Sequence, residues 1–215
     1  MSSSTTSTNT RVFLSGASLA GAQGFAIAFA AMGLLARILT INVTDANLVL
    51  ALNTILYGAA GALGAAYLAS TMQWKSLTLL FALAGILGCG GGYLITSLLL
   101  TPRVHPEISN RTTVEAVYIV QHAIIGALLG LFLGIAIWDP KKLALLIIAG
   151  AVGFGIGFLM QMSLNDLLAE PLSDFVARFS DSDALNLIAA SLLWGLGSGV
   201  CGLLGGGSIG YALET

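Results

Sequence analysis

Few side chains in this sequence could do chemistry, and the foremost is His122, an imidazole beside Gln121 within a long apolar run. At that depth an imidazole could be an axial ligand to a porphyrin-type metal, or could pass protons along a path with Gln121 and Gln161. One such histidine fills one axial position only, and the other histidine, His105, falls in a loop. A packing role competes with cofactor binding. Tyr57, His122 and Trp194 lead into similar glycine-containing stretches, so three rings with a polar edge would anchor helix to helix with their tips hydrogen-bonded. The sequence specifies no cofactor.

Gln23, Asn53, Gln121 and Gln161 are amides well inside apolar runs; each needs a partner or a wet path to face. Cys89 and Cys201 sit among glycines and read as small packing residues, with no Cys/His spacing that suggests a metal. Glu115 lies two helical turns before His122, a long reach for an acid/base pair, and no carboxylate pair shares the middle of a run. An enzyme reading lacks parts.

The elements that hold these residues follow from composition. Of 215 residues, 57% are hydrophobic and only 18 are charged, too few to cover a water-exposed globule. A soluble enzyme fold is excluded. Eight Lys plus Arg against ten Asp plus Glu leave no basic patch for nucleic acid, and two cysteines make no disulfide framework. Runs of about twenty apolar residues predict six transmembrane helices, near 12–36, 47–70, 76–100, 114–138, 143–164 and 184–211. All four prolines fall between these runs, so the helices should be unbroken by proline.

Short connections at 71–75 and 139–142 make their flanking helices antiparallel neighbours. Residues 1–11 form a polar N-terminal tail. Near 168–180, Leu168, Leu172, Phe175, Val176 and Phe179 recur at helical spacing, which predicts a short amphipathic helix on the membrane surface, with Pro171 in its first turn. Thr112 with Glu115 reads as a capping box, and Ser182 or Asp183 as a cap for the last span. Lys75, Lys141 and Lys142 lie in the short turns, which places both termini in the cytoplasm.

The chain also matches itself. AGAQGFAIAF at Ala20–Phe29 agrees with AGAVGFGIGF at Ala149–Phe158 in seven of ten positions, with AGILGCGGGY at Ala84–Tyr93 between them, 64 and 65 residues apart. The expected fold is therefore all-α, with three tandem parallel two-helix repeats about a pseudo-threefold axis: 12–70, 76–138 and 143–215. All 27 glycines lie inside the spans, where small side chains let helices approach closely in lipid. Gly126, Gly130 and Gly134, Gly153 and Gly157, and Gly202, Gly206 and Gly210 have that spacing. The triplets Gly90–Gly92 and Gly205–Gly207 could instead loosen a helix beside a path.

These features point to a multi-pass membrane protein with no enzymatic activity, whose partners are the bilayer and other membrane subunits and do not include nucleic acid. The leading expectation is a structural or accessory subunit of a larger assembly. A channel or facilitator for a small neutral solute is the alternative, with Gln23, Asn53 or Gln161 facing a lumen. A pigment- or haem-binding subunit at His122 comes third.

Overall fold

The computed structural model describes residues 16–100, 111–177 and 183–215. Among these the chain is all-helical, and six helices fit a multi-pass membrane protein by length and hydropathy. They are α1 (Gly16–Thr40), α2 (Ala46–Thr71), a third span over Lys75–Leu100, α5 (Arg111–Ile137), α6 (Pro140–Ala177) and α7 (Asp183–Glu214). The third span opens with a 3-10 turn and contains α3 (Thr78–Gly85), a π-helical segment at Ile86–Gly91 and α4 (Gly92–Leu100). The polar tail 1–11 and the prolines at 102 and 106 lie outside the described residues.

Local chemistry sets the ends. Asp45 accepts hydrogen bonds from the N–H groups of Asn47 (2.8 Å) and Leu48 (3.2 Å), which caps α2. Asp139 does the same for α6 through Lys141 (2.9 Å) and Lys142 (3.3 Å), with Pro140 at the first helical position, where its missing N–H is not needed. Each of the two short turns holds one residue in left-handed backbone, Gln73 (φ 60°) and Trp138 (φ 57°). Glycine would normally fill such a position, but every glycine is used inside a helix.

Each span packs against the spans before and after it in sequence, and α7 returns to pack against α1, so the six form a closed ring. Two polar contacts tie off the end that carries the chain terminus. Glu214 Oε1 accepts from the Ala17 N–H (2.6 Å), and Lys142 Nζ donates to the Leu213 carbonyl (2.5 Å). These satisfy backbone groups that helix termini leave open.

Three expectations need correction. Residues 168–177 are not a separate surface helix: α6 runs unbroken for 38 residues, with Pro171 inside it. At 1.5 Å per residue this is about 57 Å, well beyond the ~30 Å of bilayer hydrocarbon. Asp166, Glu170 and Asp174 all fall in the last twelve residues, so the end that holds the proline projects past the apolar span, where water can satisfy the carbonyl that proline leaves unpaired. Thr112 does not precede α5, which begins at Arg111, and Glu115 pairs with Arg111 instead of closing a capping box. The third span is not a regular α-helix: it widens into the π-helical segment where Gly88, Gly90 and Gly91 cluster. Gly88, Cys89 and Gly90 are nonetheless buried there, against α2 and α5, so this loosening faces neighbouring helices.

The glycines mark where the helices touch. A Cβ on Gly61 or Gly85 would collide with the backbone of the other, and Gly126 with Gly150 and Gly21 with Gly206 form equivalent pairs. Gly130 abuts the Leu146 carbonyl and Gly134 abuts Leu143 across the α5/α6 seam. Gly153 meets Ser208 and Gly157 meets Cys201 between α6 and α7, while Gly202 and Gly210 meet the carbonyls of Phe25 and Ala17 on α1.

Candidate functional site

The interior divides into two halves along the helix axes. Toward the termini it is apolar, with Leu68, Leu133, Leu146, Ile209 and Leu213 buried around Phe81, which Trp74 covers. The middle is closed by aromatic rings from helices that are not neighbours in the ring. Phe154 on α6 packs against Phe25 (6.2 Å between ring centres) and Phe29 (5.4 Å) on α1, and all three are essentially inaccessible. Away from the termini the interior turns polar, with Thr96, Gln121, His122, Gln161, Ser191 and Ser198 buried. That half is the candidate site.

His122 sits at its centre. Its Nδ1 lies 2.8 Å from the Tyr118 carbonyl oxygen one turn back. A carbonyl can only accept, so Nδ1 carries the proton and Nε2 is left as an acceptor. The Tyr57 hydroxyl donates to Nε2 at 2.9 Å from across the ring. The imidazole lies flat on Phe158 (3.8 Å, 14°), and Tyr57 stacks on Tyr93 (4.4 Å, 21°) with its edge toward Phe29. Both nitrogens are therefore engaged and one face is covered, an arrangement of packing and hydrogen bonding that leaves neither nitrogen open to a haem iron.

The expected ring of Tyr57, His122 and Trp194 is two-thirds present: Trp194 is 43% exposed and lines a cleft instead. The amides also separate. Gln121 Nε2 donates to Ser97 (2.9 Å) and Gln161 Nε2 to Ser198 (3.3 Å), so they do not join His122 in one chain of hydrogen bonds. Asn53 is half-buried beside Tyr93, while Gln23 is on the outer surface, where the Tyr67 hydroxyl donates to it (3.4 Å). Cys201 is buried with its thiol near the Phe154 carbonyl (3.6 Å), and Cys89 is buried against Gly61.

Tyr57→Phe removes one hydroxyl and leaves Nε2 of a buried imidazole without a donor. The expected loss is about 1–3 kcal/mol of stability, read by equilibrium unfolding in mixed micelles. Tyr118→Phe is the control, since His122 uses the Tyr118 backbone, and it should change stability by under ~0.5 kcal/mol.

Sequence reasoning missed the cleft. It lies between α5 and α6 at the end away from the termini, and Trp194 of α7 also lines it. Arg111, Glu115 and Tyr118 lie along one face of α5, and Phe158, Gln161 and Asn165 along the facing side of α6. Arg111 holds both Glu115 (2.5 Å) and Asp166 at the mouth. The available signal was the spacing of i, i+4, i+7 on α5 and i, i+3, i+7 on α6, hidden because the three charged residues lie at span ends, where exposure to water is the ordinary expectation.

Compared with known proteins, the chain matches no family model, no curated protein and no solved structure.

Proposed function

We propose that this chain is a non-enzymatic structural or accessory subunit of a larger membrane assembly, inserted with both termini in the cytoplasm. In this reading it is built from three tandem two-helix repeats about a pseudo-threefold axis and sealed by glycine contacts. The repeats are supported by the contacts. Gly21, Gly85 and Gly150 are 64 and 65 residues apart, and each meets a glycine of the preceding even-numbered span in the ring, Gly206, Gly61 and Gly126 respectively. One level further in, Tyr93 carries Tyr57 and Phe158 carries His122, while the corresponding Phe29 meets Gly202. The third copy thus has a glycine, not Trp194, where the others have a ring. The lysines of the short turns support the orientation.

The observation that carries the subunit reading is Gln23. It lies about two turns inside α1, on the outer surface, flanked by the exposed Leu19 and Ile27. Its described hydrogen bond is accepted by Oε1 from Tyr67, and its amide has two donors to place. An amide facing hydrocarbon is costly, and a neighbouring transmembrane helix resolves it. The aromatic closure of the interior by Phe25, Phe29 and Phe154 supports this reading over a solute path along the axis.

The test is Gln23→Leu, which suits lipid better than the native residue and leaves the bundle intact. Extracted from native membranes in mild detergent, the wild-type chain should migrate in a complex larger than its own 22.0 kDa. The variant should lose its partner by roughly five- to thirtyfold, the worth of about 1–2 kcal/mol of interhelical hydrogen bonding. A wild-type chain recovered only as a monomer would refute the proposal.

A further inference from the structure

The surroundings of Gln23 select its partner. In the match of the chain with itself, the residues 64 and then 65 positions further on are Leu87 and Val152, each 52% exposed. Both suit lipid, so this outward position does not itself call for a polar group. By the same offsets Ala30 corresponds to Leu94 and Leu159, which are also exposed. Of the three matching helices, only α1 joins an outward amide to a row of small residues.

That row gives the face a shape. Leu19, Gln23 and Ile27 recur every four residues and form an exposed ridge along α1. Beside it Ala22, Ala26 and Ala30 are half-buried, with Gly207 and Gly199 of α7 against Ala22 and Ala30. The result is a shallow groove parallel to the ridge. Rows at this spacing let one helix lay its ridge in the groove of another, crossing at about −40° to −50°. When both helices are α1, each ridge meets the other's groove, so the face is complementary to itself, as a twofold contact requires.

Depth selects the same partner. All copies of a chain enter the membrane the same way round, so Gln23 lies at one depth in every copy. A twofold axis along the membrane normal then brings Gln23 to Gln23. An amide both donates and accepts. Each Nε2 can donate to the Oε1 of the other copy, while Oε1 keeps the Tyr67 hydroxyl (3.4 Å) on its second lone pair. A different protein would have to supply its own polar group at this depth.

We infer, on the basis that Gln23 is a docking residue, that its partner is a second copy of this chain, α1 against α1, across a twofold axis along the membrane normal.

Leu19→Cys and Ile27→Cys retain the amide and place a thiol on the ridge one turn to either side of it. Oxidised in native membranes, each should give a disulfide-linked homodimer. Leu87→Cys, at the corresponding outward position of the third span, should give far less, and the native Cys89 and Cys201 are buried out of reach. In liposomes, Förster transfer between donor- and acceptor-labelled full chains at increasing lipid dilution should report a dimer. Gln23→Leu should raise its dissociation constant about tenfold, the worth of the lost amide pair. Absence of the ridge cross-link, a link at Leu87 as strong as on the ridge, or a dissociation constant unchanged by Gln23→Leu each overturns the second copy. If the complex extracted from native membranes nonetheless depends on Gln23, the partner is a different membrane protein and the subunit reading stands alone.

Discussion

Replacing Gly126 with leucine is expected to unfold the bundle. A Cβ at this position would fall inside the Gly150 carbonyl, and the clash is reciprocal, since a Cβ on Gly150 would meet the Gly126 carbonyl. Backbone cannot rotate away as a side-chain tip can, so α5 and α6 must separate along their seam and give up the Gly130 and Gly134 contacts as well. In lipid no hydrophobic force between helices compensates, because the tails are as apolar as leucine. The expected loss exceeds ~4 kcal/mol, the range reserved for severe overpacking. Gly91→Leu is the matched control: nothing lies within 4 Å of a Cβ there, and its stability should stay within ~1 kcal/mol of the native chain. Equilibrium unfolding in mixed micelles separates the two. Equal, mild effects at both positions would mean that the glycine seams do not set helix spacing.

The second large effect is expected at Phe154→Ala. The ring is fully buried, touches Phe25 and Phe29 of α1, on the far side of α7, and lies over Gly205, where a Cβ would run into it. Neighbouring helices are already at contact distance through their glycines and cannot close in further, so truncation leaves a void. The expected cost is about 3 kcal/mol, near the low end for Phe→Ala because lipid removes part of the transfer contribution. Phe154→Leu should recover more than half of the loss. A negligible effect of Phe154→Ala would mean that the centre of the bundle is not packed as described.

The all-helical class and the six helices long and apolar enough to span a membrane were legible because they depend on composition and run length alone. The four-residue spacing singles out the glycines at 126, 130, 134, 153, 157, 202, 206 and 210, and each abuts a neighbouring helix. The end of α6 was misread for a different reason. Periodic apolar residues near 168–180 look the same whether the helix lies on a surface or continues a span, and Pro171 normally signals a start. A helix that has left the hydrocarbon can carry that proline with less penalty.

Trp194 was misplaced because the sequence comparison matched Trp194-Gly195 with Tyr57-Gly58, whereas in the helix contacts it is Gly202 that meets Phe29 as Tyr57 meets Tyr93 and His122 meets Phe158. The Tyr57 to His122 bond joins residues 65 apart in sequence. Their matching positions could be seen, but not that one ring would donate to the other, since that depends on the Tyr118 carbonyl fixing the tautomer. The cleft was invisible for a related reason: its polarity comes from two faces that meet only when α5 and α6 are side by side.

The account rests most heavily on the closure of the ring, which joins the first span to the last by backbone contact. Ser18 on α1 donates to the Gly207 carbonyl on α7 at 3.1 Å, and a Cβ on Gly207 would lie 4.0 Å from the Ser18 hydroxyl oxygen, so side chains at the two positions face each other at contact distance. Ser18→Cys with Gly207→Cys, oxidised in intact membranes, should give an intramolecular disulfide in most chains, while Ser18→Cys with Gly91→Cys should give none. Failure of the 18/207 pair to link within one chain, or linkage only between chains, would contradict the closed ring.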